Sequence, residues 1–119
     1  MKTSCSTVCT TACTATCDSL ADVRSAIDQI DFMLVGLLAE RGRYVREAAR
    51  FKRNKAEVAA PERVRQVIDK ALQHARRIGA APEVVEAVYR SMVDAFVELE
   101  ARQHEALLSE GTMASRASA

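Results

Sequence analysis

Arg41 sits in a row of apolar residues at helical spacing: Leu20, Val23, Ile27, Ile30, Leu34 and Leu37 precede it, and Tyr44, Ala48 and Phe51 follow. A guanidinium buried there without an anion would cost on the order of several kcal/mol. An ion pair with Asp31 or Glu100 would meet the need. So would a bound carboxylate, which the planar guanidinium fork grips at two points. Lys52 lies eleven residues further on, about 20° off the same face and about 16 Å along a helix axis. Two long cationic side chains so placed can converge on a small anion between them, although a lysine here also reads as a solvated helix end favoured by the C-terminal dipole. Arg24 precedes Arg41 by seventeen residues, roughly 25 Å along the axis. It cannot share that anion within one chain.

The alternation of three and four between apolar positions from Leu20 to Phe51 predicts one uninterrupted amphipathic helix, with Asp18 or Ser19 as N-cap and an end near Lys52. About 33 helical residues make a rod roughly 50 Å long, whereas a compact domain of this size has a radius of gyration of about 13 Å. One chain cannot cover that rod. A second helix is expected from Pro61-Glu62 to the C-cap at Gly79, turning Val64, Val67, Ile68, Ala71, Leu72, Ala75 and Ile78 inward. A third begins at Pro82 and carries Val85, Val88, Tyr89, Met92, Phe96, Leu99 and Leu107. Residues 53–60 read as a loop, and residues 110–119 as a flexible tail. The expected architecture is all-α, with three helices per chain and two chains exchanging their long helices in an intertwined six-helix homodimer. In an antiparallel dimer of that kind, Arg24 of one chain reaches the Arg41 and Lys52 region of the other.

The chain has 119 residues, enough for one domain, spanning 18–109 in this reading. Its apolar residues are mainly Leu, Val, Ile and Ala with no Trp, a palette of packed helices rather than sheets. Seventeen Lys and Arg against sixteen Asp and Glu give no broad field for nucleic acid or an anionic membrane. No apolar run is long enough to span a bilayer. Residues 1–17 form a low-complexity tail in which Cys5, Cys9, Cys13 and Cys17 recur every fourth position among Thr and Ser. Zinc binding and disulfides are both conceivable there, but Thr-rich sequence is a poor helix former and paired C-x-x-C hooks are absent. An inert tail is the expectation. It also lacks the apolar stretch of a secretory signal, so a reducing cytoplasm is the expected compartment. His74 and His104 have no partners at metal-ligand spacing and receive no role.

The run ADVRSAIDQIDFMLVGLLAERGRYVREAARFK, with Arg24, Ile27, Asp28, Asp31, Leu34, Leu38, Arg41 and Lys52 at their spacings, resembles the first helix of the all-helical chorismate mutase family. The resemblance continues through Ala60-Pro61-Glu62-Arg63-Val64 to Leu99 and Glu100. It implies that Arg24 from the partner chain and Arg41 hold two substrate carboxylates, and that Lys52 donates to the ether oxygen of the breaking bond. It implies a Claisen rearrangement of chorismate to prephenate in aromatic amino-acid biosynthesis, in which Lys52 and a protonated Glu100 stabilise charge developing on that oxygen. No metal or other cofactor is expected.

Three departures matter. Many members open their second helix with Asp-Pro-Glu-Arg-Glu, the last Glu holding the substrate hydroxyl, where this chain has Val64. The Ala-Pro-Glu-Arg-Val run instead resembles the isochorismate pyruvate lyases, a branch that yields salicylate and pyruvate. Glu100 stands where bacterial mutases and these lyases place Gln, as in fungal mutases. Arg63 matches a family arginine and equally fits an ion pair with Glu62 at a helix start. A helical dimerisation module without an active site is the third reading, and it leaves Arg41 unexplained.

Overall fold

The computed structural model describes the backbone of residues 16–117 and the side chains of residues 16–111. The expected thiol row at Cys5, Cys9 and Cys13 lies outside the described residues. Among the described residues four helices occur in order: α1 (Leu20–Ala49), α2 (Lys55–Ala59), α3 (Pro61–Ile78) and α4 (Pro82–Ala117). No strand occurs among the described residues, in keeping with the all-α expectation. None of these helices is long and apolar enough to cross a membrane. The chain divides into two units, residues 1–41 and 42–119.

The first unit holds most of α1. Ser19 is its N-cap: the Ser19 hydroxyl oxygen accepts from the Asp22 amide at 3.2 Å, satisfying one of the free donors of the first turn. The apolar row is solvent-facing in this chain, with Leu20, Val23, Ile27, Ile30, Leu34 and Leu37 all exposed.

The second unit begins with the last two turns of α1, and here the buried face differs from the expected one. Gly42 and Ala49 are buried and Val45 is half-buried, whereas Tyr44 and Phe51 are 62% and 78% exposed. Small residues face inward because α4 comes close: a Cβ built on Gly42 would lie 3.2 Å from the ring of Phe96. The helix also ends earlier than its periodicity indicates. Beyond Ala49 the amides of Arg50, Phe51 and Lys52 bond three residues back, to Glu47, Ala48 and Ala49, at 3.1, 3.0 and 3.4 Å. This is the tightened winding of a helix end. Lys52 therefore stands off the α-helix, and the straight-helix spacing from Arg41 does not apply to it.

The expected loop at 53–60 contains α2. Asn54 caps it, its Oδ1 accepting from the Glu57 amide at 2.9 Å, and a Glu57 carboxylate oxygen accepts from the Arg53 amide at 2.5 Å. Asn with Glu three residues on is close to a capping box. That signal was readable in the sequence. Val58 anchors α2 by burial, and α2 packs on α4. Ala60 ends α2 and begins α3 in a left-handed conformation, φ 37° and ψ 60°. Pro61 follows at the first helical position, where no amide is needed. α3 packs on α4 and ends at Gly79, whose φ of 74° suits a residue without Cβ. Ile68, Ala75 and Val93 complete the buried apolar set with Ala49 and Val58. Ile78 and Val88, expected inside, are exposed. α4 continues past Ser109, the end expected from sequence, to Ala117.

Candidate functional site

The turn after α1 carries Lys52 towards α4, and its Nζ lies 2.5 Å from Oε1 of Glu100. The side chains are 24% and 7% exposed, so Glu100 is buried and Lys52 half-buried. The contact is an ion pair by distance, and Oε1 has no further hydrogen-bond partner. The buried oxygen is thus answered by this one ammonium.

One turn further along α4, His104 is 4% exposed, and its Nε2 lies 2.9 Å from the carbonyl oxygen of Lys52. A carbonyl only accepts, so Nε2 carries the hydrogen and donates. Nearer the surface, Lys55 and Glu105 approach at 3.8 Å. Residues 52–58 thus cross α4 like a strap, joined to it by Glu100, His104, Glu105 and the buried Val58.

Of the residues singled out from sequence, Lys52 and Glu100 are brought together. Glu100 pairs with Lys52. Arg41, half-buried, is the last residue of the first unit, and Arg24 is exposed on the same helix. Arg63 is exposed at the start of α3. The helix-start pair forms differently from the expected one, because Glu62 reaches Arg65 at 3.2 Å, a separation of one helical turn. Arg43, Arg46, Arg50, Lys70, Arg76 and Arg77 are solvated, with Arg50 paired to Glu47 at 2.7 Å. His104 was missed. A search confined to metal-ligand spacing passes over it, although it stands on the inward line through Val93 and Glu100.

A single helix end, a capped strap and a long helix thus present a half-buried ammonium beside a buried carboxylate, with helices alone as regular elements among the described residues. Residues 23–101 match the family described as chorismate mutase type II, and the chain belongs to that enzyme family. The matched span contains Arg24, Arg41, Lys52, Arg63 and Glu100. His104 lies beyond it. Among curated proteins the chain is similar to the isochorismate pyruvate lyase of Pseudomonas aeruginosa, 36% identical over 78 residues, which is 66% of this chain and 77% of that protein.

Proposed function

We propose that this chain is a chorismate mutase, rearranging chorismate to prephenate as a homodimer. The observation that carries the reading is the pairing of half-buried Lys52 with buried Glu100, an ammonium beside a carboxyl oxygen that has no other hydrogen-bond partner. The rearrangement requires no nucleophile, proton shuttle or cofactor. It is accelerated by holding the enolpyruvyl arm over the ring and by stabilising the negative charge that grows on the ether oxygen as its bond to carbon breaks. Lys52 donates to that oxygen. Glu100, when protonated, donates from a second direction. Arg41 and Arg24 of the partner subunit grip the two carboxylates. The exposed apolar row of α1, from Leu20 to Leu37, supports a second copy as the element that covers it.

Cleavage of isochorismate to salicylate and pyruvate is the second reading, favoured by the Ala60 to Val64 run and by the similarity to the lyase. Both reactions break an enolpyruvyl ether and use the same donors. Incubation with chorismate and isochorismate separately, with chromatographic identification of products, decides between them. Prephenate from chorismate supports the mutase, salicylate with pyruvate from isochorismate the lyase, and turnover of neither overturns both.

A further inference from the structure

His104 is a buried titratable side chain that the mechanism above does not use, and it lies outside the span matched by the family. Its polar contact is to the backbone of Lys52 rather than to a side chain. Lys52 has left the α-helix at that point, and the bond of its own amide to Ala49 is long, at 3.4 Å. Its main chain is thus weakly held from the α1 side. On the other side the Asn54 cap fixes α2, but a helix of one turn is marginal by itself. Between them the Lys52 carbonyl is held by the Nε2 hydrogen of His104. Because Glu100 and His104 are one turn apart on α4, the same helix face holds Lys52 twice, by its ammonium and by its backbone. Two attachments fix both ends of a flexible side chain, which a single ion pair cannot do.

We infer that His104 is a positioning residue: it fastens the main chain of Lys52 to α4 and so fixes where the Lys52 ammonium meets the reacting ether oxygen. This rests on the proposed reaction for its catalytic consequence, while the fastening itself is independent of it. A Gln at this position offers an amide hydrogen at about the place of Nε2. An Asn offers one too short to reach, and a Leu fills the space with no donor at all.

The test compares the full-length His104→Gln, His104→Asn and His104→Leu variants with the parent protein in two measurements. The first is amide exchange at Glu57, Val58 and Ala60, whose hydrogens bond within the strap. Exchange there should quicken about tenfold in the Leu and Asn variants, the loss expected for one hydrogen bond, and stay near the parent value in the Gln variant. Amides at the centre of α3 serve as the control for global loosening. The second is turnover of whichever substrate the parent consumes. The Leu and Asn variants should lose about tenfold in kcat with KM changed less than about twofold, and Gln should restore most of the loss. Unchanged strap exchange in the Leu variant, or a Gln variant as impaired as Leu, overturns the inference. A parent protein without turnover overturns the functional reading alone, and strap exchange still decides whether His104 fastens Lys52.

Discussion

At Glu100 a carboxyl group is buried and its charge is answered by one ammonium. Removing that ammonium leaves a buried carboxylate uncompensated, so Lys52→Ala should destabilise the fold by about 3 kcal/mol. The Lys52→Ala/Glu100→Gln pair removes both charges and should recover most of that loss in denaturant unfolding. Equal stability of the single and double variants would show that the unpaired Glu100 charge costs the fold nothing. In catalysis, Lys52→Ala should lower kcat about a hundredfold with a small change in KM, as for a donor that acts on charge developing in the transition state. Arg41→Ala should weaken binding heavily as well. A Lys52→Ala effect confined to KM would remove Lys52 from the ether oxygen. An ionised carboxylate can only accept hydrogen bonds and would repel an oxygen gaining negative charge, whereas a side-chain amide can donate to it. Glu100→Gln should therefore keep turnover within about threefold of the parent protein, and a loss of about a hundredfold or more would return Glu100 to a purely structural pairing with Lys52.

The elements show where sequence reasoning holds and where it stops. Ala60 joins α2 to α3 at φ 37°, a conformation that crowds Cβ and is further restricted by the following Pro61. Ala60→Gly relieves the crowding and loosens the unfolded chain, and the first effect is the larger at a left-handed position. The variant should be more stable by about 0.5 to 1 kcal/mol in denaturant unfolding, and Ala60→Val less stable by more than that. A destabilised Gly variant would mean that the strain is absent in solution. Nothing in the residue pattern announced Ala60, since a left-handed alanine leaves no compositional trace. The helices themselves were legible, because the three-four spacing, Ser19, Gly79 and the two prolines are local signals. The end of α1 was misplaced by three residues because the 3–4 spacing continues through Phe51 while the hydrogen bonds have already shortened to three residues. Asn54 and Glu57 did announce α2 and were passed over. Lys52 and Glu100 were legible as residue types through the family resemblance. Their contact was not, because it joins positions 48 residues apart in sequence through the packing of α4, which periodicity does not encode.

At the scale of the whole molecule the unanswered surface is on α1. Its apolar residues are too many and too regularly placed to be left in water, and the same helix carries Arg24 and Arg41 seventeen residues apart. Both facts are met if two chains lie antiparallel along their long helices, each burying the other's row and each lending Arg24 to the other's site. The arrangement has a consequence that a monomeric site could not imitate. In the antiparallel dimer, Arg24→Ala would disable the site of the opposite chain, and Arg41→Ala would disable the chain's own. In a heterodimer of the two variants, both lesions fall in one site and the other site is intact. Random assortment puts about half of all dimers in that mixed form, so about a quarter of all sites should work. Chains intertwined in that way would exchange slowly, so the two variants are to be co-expressed or refolded together before assay. Recovery to about a quarter of parental activity, from two proteins each nearly inactive alone, would establish that each site draws on both chains. Activity that stays at the level of the single variants, in a mixture shown by tagged pull-down to contain heterodimers, would mean that Arg24 and Arg41 serve the same chain's site or none.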